Sequence, residues 1–311
     1  AGLMLMVGVS MQSLRTVRRL AIFGFLCAFA GVALTYVVGD ATKGAARWIK
    51  FAGFSLQPSE FIKPVFIVVT AWLLDARKRT EDFPGMALAV GLFLITALSV
   101  FGQPDLGMTV LIAGVWALQM VLAGIPLWLI VTLFSGGVFL VTCSYFFLAH
   151  VRDRIDRFLA SENEIGSQIQ QSMNAFANGN LLGRGPGEGV VKMHLPDVHT
   201  DFIFSLAGEE AGVWLTSIIV ISFAVIVVRS MIISTKDNNL FQMYAACGLA
   251  ASLGGQAIVN MCSALQLMPA KGMTLPFVSY GGSSMLASCL TMGMLLAITR
   301  KNAVAEDKDN G

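Results

Sequence analysis

Charged side chains are what this sequence has least of. They make up 13% of its 311 residues, while 56% are hydrophobic; a soluble domain carries about a quarter charged residues. The mean hydropathy is +0.72. Too little polar surface remains to coat a water-facing globule or to keep a chain disordered, and a soluble two-domain enzyme is excluded on the same ground. Cysteine is sparse too. Cys27, Cys143, Cys247, Cys262 and Cys289 all sit in apolar stretches without paired spacing. That pattern shows neither a disulfide framework nor a zinc site, and it suits small buried residues. No G-x-x-x-x-G-K-[ST] loop occurs, which argues against ATP-driven transport by this chain. H-E-x-x-H and G-x-S-x-G are also missing, which argues against a zinc or serine membrane protease. The apolar stretches do not alternate with polar residues, as a β-barrel would require. No internal repeat is evident, so the inverted-repeat signature of many transporters is not seen.

What is present is a series of apolar runs near the ~20 residues that a helix needs to cross a bilayer. Spanning helices are expected at about 20–38, 60–74, 85–101, 106–123, 126–148, 206–228, 240–262 and 276–299, after a partial one at about 1–12. Lipid-exposed irregular backbone is not tolerated at membrane depth, so helix is the reading for every run. The expected fold class is all-α: a polytopic transmembrane bundle of eight full helices plus an N-terminal partial helix. The first run lacks a basic flank and an initiator Met, so it reads as the tail of a truncated membrane helix, not as a signal peptide. Residues 1–299 are expected to form one transmembrane domain, and 300–311 a polar, disordered cytoplasmic tail.

The net charge of +2 says little in bulk, but placement orients the chain. Arg15, Arg18 and Arg19, then Arg77, Lys78 and Arg79, then Arg229 and Lys236, then Arg300 and Lys301 all fall on one side by parity. Dense basic residues in short loops mark the cytoplasmic side. The opposite side holds 39–59, 102–105, 149–205 and 263–275, and it too carries cations, among them Lys43, Arg47, Lys50, Arg184 and Lys271. Lipid headgroups account for them, or a phosphate-bearing ligand outside the membrane, whose oxygens suit guanidinium and ammonium groups. The outward segment 149–205 is rich in Gln, Asn and Gly, with glycine alternating at 183, 185, 187 and 189. A loop of that length is either functional or disordered.

Four constellations carry the chemistry. The first joins Lys43-Gly-Ala-Ala-Arg47-Trp48 to Gln57-Pro58-Ser59-Glu60-Phe61-Ile62-Lys63. Pro58 suits a helix's first turn, with Gln57 as a weak cap. Glu60 and Lys63, three apart, share a helix face. They form a structural ion pair or line a polar cavity; Trp48 fits an interfacial anchor. The second is Gln103-Pro104-Asp105-Leu106-Gly107, where Asp105 caps the next helix or lines an outward site. The third is Leu195-Pro196-Asp197-Val198-His199-Thr200-Asp201-Phe202, followed by Glu209, Glu210 and Gly212. Asp201 stands where the long outward segment enters an apolar helix; a plain stabilising role, an acid favoured by the dipole of a helix's first turn, is the alternative to a catalytic one. Glu209 lies roughly 12 Å further along the axis, at a depth where a carboxylate needs a partner or a proton. The fourth is Pro269-Ala270-Lys271-Gly272-Met273-Thr274-Leu275-Pro276-Phe277, then Ser279-Tyr280-Gly281-Gly282-Ser283-Ser284. Small residues entering a membrane helix permit close packing.

In this order, Lys43–Trp48, Gln57–Glu60, Gln103–Gly107, His199–Phe204 with Glu209–Glu210, and Lys271–Ser284 resemble the SEDS family of bacterial shape, elongation, division and sporulation proteins. The resemblance covers nearly the whole chain. Gly183-Arg184-Gly185-Pro186-Gly187 and Pro269-Ala270-Lys271-Gly272 are more similar to the division (FtsW-type) branch than to the elongation (RodA-type) branch, with Ala270 where a Thr is usual. The family carries one more helix before the fragment, so the resemblance implies that the first helix and part of the second lie outside this sequence.

The resemblance implies a peptidoglycan glycosyltransferase that polymerises lipid II during septal wall synthesis, in the bacterial cytoplasmic membrane with its catalytic side outside. Pyrophosphate is already a good leaving group. One general base on the acceptor hydroxyl is then enough, where a glycosidase needs two carboxylates. Asp201 aligns with the family's essential Asp and takes that role. One displacement inverts the sugar carbon. Arg47, Lys50 and Arg184 are the cation candidates for the diphosphate. Glu60, Lys63, Gln103, Asp105, His199, Thr200, Lys271 and Ser283 complete the expected substrate-binding set. No cofactor is assigned with certainty; a divalent cation, magnesium or manganese, is the candidate. The implied partners are a class B penicillin-binding (FtsI-type) transpeptidase, other division proteins and membrane lipids, with no nucleic acid. A lipid II flippase and a scaffold for division proteins are the rival classes.

Overall fold

In the computed structural model, which describes all residues except 39, 43–44, 52–53, 81, 104, 148–151, 153–155, 157–167, 191–198, 237–238, 266, 269–271 and 301–311, apolar run and helix coincide. The helices are α1 (Gly2–Ser10), α2 (Leu14–Val38), α3 (Pro58–Arg79), α4 (Gly85–Gly102), α5 (Leu106–Leu122), α6 (Leu127–Phe147), α7 (Gln168–Gly179), α8 (Ile203–Ser234), α9 (Leu240–Ala264) and α10 (Gly282–Thr299). Five of them are long and apolar enough to cross a membrane: α2, α4, α8, α9 and α10. α5 and part of α6 are apolar but shorter. α3 stands apart because Glu60, Lys63 and Asp75 are all buried within it.

Helix ends follow local chemistry. α2 starts before the expected position, about 20, because the Ser13 hydroxyl accepts the Thr16 N–H at 3.3 Å, a side-chain cap. Arg15, Arg18 and Arg19 therefore lie in its first turns rather than in a loop, and the Arg18 guanidinium sits 5.0 Å over the Phe241 ring. α3 opens on Pro58, whose missing N–H costs nothing in a first turn; Gln57 makes no side-chain cap. α3 runs on to Arg79, which pairs with Asp75 one turn back at 2.9 Å. α10 starts six residues later than the expected 276. Phe277 takes φ 64°, and the Ser279 hydroxyl accepts the Leu275 N–H at 2.7 Å, so this stretch closes as a turn.

Two of the segments between the apolar runs, 39–59 and 149–205, hold regular structure that the sequence reading did not place there. β1 (Asp40–Thr42), β2 (Ala45–Phe51) and β3 (Phe54–Leu56) form an antiparallel ribbon in that order. Ala41 pairs with Ala46 and Ile49 with Leu56, and a register shift follows Asp40. α7 lies in the long segment 149–205. It is too short to cross a bilayer, and it buries Ser172, Ala175 and Gly179 along one face.

The chain divides into two compact units, one of Ala1–Gln119, Val220–Ile258 and the residues from Met273, the other of Met120–Ile219 and Val259–Gly272. In the first, α3 is the interior helix, packed by α2, α4 and α10. Gln119 on α5 donates to the carbonyls of Ile67 on α3 and Tyr244 on α9, at 3.0 and 3.2 Å. The Trp116 indole donates to Ala89 on α4 at 3.3 Å. In the second unit, the Ser172 hydroxyl meets that of Ser205 at 2.5 Å and donates to the Ala264 carbonyl at 2.6 Å. That pins α7 to the start of α8 and the end of α9.

α1 packs closely on α10 because Gly293 carries no side chain: a Cβ there would meet the Met6 carbonyl at 2.8 Å. A Cβ on Gly2 would stand 3.7 Å from that of Cys289, inside the range a disulfide needs. Gly2→Cys should therefore cross-link to Cys289 under mild oxidant, as detected by mass spectrometry of the digested protein. Gly293→Val should suppress the cross-link by pushing α1 away. A full yield in both proteins would contradict this packing.

Candidate functional site

In the first unit, the site is built around charge held inside the helices. Glu60 and Lys63 are each about 95% buried. Lys63 Nζ donates to Glu60 Oε2 at 2.6 Å and to Gln256 Oε1 at 2.5 Å. The other end of the Gln256 amide donates to the Thr274 carbonyl at 2.9 Å and hydroxyl at 3.2 Å. The Thr274 hydroxyl bonds in turn to that of Ser284. A lone charge at this depth would be costly, and pairing with full hydrogen bonding makes it tolerable. Ser283 beside them is buried, and its Oγ has no hydrogen-bond partner among the described residues. Lys63 also borders a crevice with Phe66, Ile112, Val115 and Ser252 that is too tight to admit even a water molecule, so it cannot hold a sugar.

A second cluster ties the ribbon to the α4–α5 turn of the same unit. Arg47 on β2 donates to the Gln103 carbonyl at 2.9 Å and faces the Asp105 carboxylate at 3.4 Å. Asp105 also accepts the Met108 N–H at 3.1 Å, so it caps α5 and binds a cation at once. The Gln103 amide donates to the Thr35 hydroxyl on α2 at 2.5 Å. Lys50 lies in β2 with its side chain outside the described positions, and Lys271 lies outside the described residues altogether.

In the second unit, Asp201 is half-buried, with Thr200 half-buried and His199 exposed beside it. Asp201 stands at the entry to α8, ahead of the first turn in which a helix dipole would favour an acid. The N–H groups of Ser205 and Leu206 turn back to the Phe202 carbonyl at 3.0 and 3.1 Å. Phe202 thus starts the helix, and Asp201 sits in the turn before it. The Asn260 amide donates to the Asp201 carbonyl at 2.9 Å. Gly272, at φ 63°, passes so near that a Cβ on it would stand 3.4 Å from Asp201 Oδ2.

α8 then breaks at Gly212 (φ 67°, ψ −160°). The Val213 N–H leaves the helix and donates to the Asn180 carbonyl at 3.3 Å. In exchange, the carbonyls of Glu209 and Glu210 accept the N–H groups of Arg184 and Gly185, both at 3.0 Å. The glycine-rich loop thus replaces a turn of helix as hydrogen-bond partner. Gly183, at φ 79°, allows the contact, since a Cβ there would run into the Glu210 carbonyl. Glu209 is fully buried, and its carboxylate accepts the Val190 N–H at 3.0 Å and the Asn178 amide at 3.4 Å. That supplies the partner its depth requires. The Arg184 side chain is exposed beside this contact.

Of the expected residues, Glu60 and Lys63 meet directly, as do Arg47, Gln103 and Asp105, while His199, Thr200 and Asp201 share one turn. Gln256, Asn260 and Thr35 were not singled out from sequence, and Thr274 only as one residue of the fourth constellation. The signal available was an amide recurring four residues apart, at 256 and 260, inside an apolar run, where a polar side chain is expensive to bury. Among the described residues, no group of three or more His, Cys, Asp or Glu side chains comes together to hold a metal ion.

Several apolar spans around paired interior charges define a multi-pass membrane protein with a polar interior. Residues 1–304 match the model of the FtsW, RodA and SpoVE family, described as cell cycle proteins, and the chain belongs to that family. It is 44% identical over 303 residues to a probable peptidoglycan glycosyltransferase FtsW of Caulobacter vibrioides, a match covering 97% of this chain and 77% of that one. It is 37% identical over 274 residues to a protein of the same description from Geobacter sulfurreducens, covering 85% and 72%. Among solved structures, it resembles a chain from a study of how a peptidoglycan synthase complex coordinates polymerisation and crosslinking. There the TM-score is 0.78 at 27% identity, over 96% of this chain and 86% of that one. The Thermus thermophilus rod shape determining protein RodA gives a TM-score of 0.66 at 26% identity, over 96% and 84%.

Two stability tests follow from this geometry. Gly183→Ala should destabilise the protein by about 1–3 kcal/mol, through strain and loss of the loop contact. Gly187→Ala, at φ 85° with open space around it, should cost less, because only strain applies. Thermal unfolding in detergent, with proteolysis of the 179–190 loop, reads both. Lys63→Met alone leaves Glu60 buried and unpaired, and should cost about 3–5 kcal/mol. Glu60→Gln/Lys63→Met should cost less than that single change, and equal losses would refute a coupled pair.

Proposed function

We propose that this chain is a peptidoglycan glycosyltransferase of the division branch, polymerising lipid II at the outer face of the cytoplasmic membrane during septal wall synthesis. The observation that carries the reading is the setting of Asp201. It is an ionisable group in a half-buried turn at the entry to a membrane helix, inside a chain similar to proteins described as glycosyltransferases. A lipid-linked donor keeps its tail in the bilayer and its sugar in water, and a group at that boundary serves both.

In the proposed reaction, the acceptor hydroxyl oxygen bonds to the donor's anomeric carbon as the bond to the diphosphate oxygen breaks. Asp201 takes the hydroxyl proton. The diphosphate leaves with the electron pair, and the sugar carbon inverts. Arg47, Lys50 and Arg184 offset the charge that develops on the leaving group. Arg47 is already shared with Asp105, so a diphosphate would compete with that carboxylate. The Glu60–Lys63 pair, Gln103, Asp105, His199, Thr200, Lys271 and Ser283 bind or orient the substrate in this reading. Magnesium or manganese would supply further charge neutralisation, but the described donor set is too thin to hold it, so no step is assigned to it. A class B penicillin-binding transpeptidase is the proposed partner, in keeping with the synthase complex that the fold resembles.

The test is polymerisation of purified lipid II by this protein with its transpeptidase. Asp201→Asn should reduce the rate by about 10²–10⁴-fold while lipid II binding persists. If the variant polymerises like the parent, the enzyme reading fails. Lipid II crossing vesicle membranes equally well with parent and variant would then favour a flippase.

A further inference from the structure

We propose that Asn260 is a positioning residue for Asp201, acting through the backbone of the base and not on the substrate. The inference rests on Asp201 being the general base. Asp201 occupies a turn ahead of α8, not the helix itself. The Asn260 amide holds that turn from a separate helix, donating to the Asp201 carbonyl at 2.9 Å. Its own position is stiff, since it is 99% buried in α9, a helix of 25 residues.

An amide inside an apolar helix costs free energy to bury unless it is used. Here its N–H group is spent on the carbonyl of the one residue that must hold a carboxylate in place. Two further contacts restrict the same turn. Phe202 is buried, and Ser205 is tied to Ser172. Gly272 leaves room beside the carboxylate, where any larger residue would put a carbon against Oδ2. Rotation about the bonds that aim Asp201 is therefore limited from the main chain, and the Asn260 contact reaches the main chain of Asp201 itself. Misplacing a catalytic group by about 1 Å can cost on the order of 10²-fold in rate. A fault of this kind acts on turnover, because ground-state binding of the donor does not depend on where the base points.

The experiment measures kcat and KM for lipid II in the complex with the transpeptidase, for Asn260→Asp, Asn260→Gln and Asn260→Ala. Asn260→Asp keeps the shape but presents an acceptor to a carbonyl. It should lower kcat by about 10–100-fold with KM within about twofold. Asn260→Ala should do likewise, and Asn260→Gln, which keeps the donor, should recover part of kcat. Parental kcat in Asn260→Asp would overturn the proposal, as would a loss carried by KM. Equal losses in all three variants, in step with lost thermal stability, would also overturn it by making Asn260 a packing residue. Asp201→Asn separates the two readings. If it stays active, the base assignment falls; if it is dead while Asn260→Asp turns over normally, only the role of Asn260 falls.

Discussion

A peptide group inside a bilayer has no water to turn to, and the rearrangement at Gly212 shows how this chain meets that constraint. Breaking α8 frees the carbonyls of Glu209 and Glu210 and the N–H of Val213. Each finds a partner on the loop from Asn180 to Gly185, so the break loses no hydrogen bond among these groups. Irregular backbone is tolerated at such depth where protein covers it. The neighbouring Glu209 carboxylate takes two further donors, at Val190 and Asn178. The loop is thereby fastened to the same short helical segment that Asp201 leads into.

The first unit handles polarity by the same principle with side chains. Lys63 is shared between a carboxylate and an amide, and that amide turns its other end to Thr274. Each bond fixes the orientation of the next, so the charge is tolerated and held in one arrangement. Arg47 and Asp105 repeat the logic at the ribbon, where a single carboxylate caps a helix and receives a guanidinium.

The membrane spans were legible because an apolar run of that length has few alternatives. Their ends were less so, since short-range hydrogen bonds decide them. The arginines that start α2 read as loop by charge, yet Ser13 caps the helix ahead of them. Residues 276–281 look apolar enough to continue α10, but the Ser279 hydroxyl folds them into a turn. The ribbon at 40–56 was hidden by the shortness of its strands, and α7 by a composition of Gln, Ser and Asn. The motif residues Glu60, Lys63, Arg47, Asp105 and Asp201 stood out as charges among apolar neighbours. Gln256 and Asn260 are uncharged and far along the chain from their partners. Their roles depend on which helices meet, which no local pattern encodes.

Surface loops usually drift freely as sequences diverge. The glycine loop here is bound to behave otherwise. Side-chain atoms at Gly179, Gly183 or Gly212 would collide with backbone across the contact, and at Gly208 with the Phe176 ring. Four positions on two segments distant in sequence are thus confined to the smallest residue. A stretch that by composition invites insertion and exchange should have as little freedom to change as a protein interior, and grafts from related chains would have to carry both segments together.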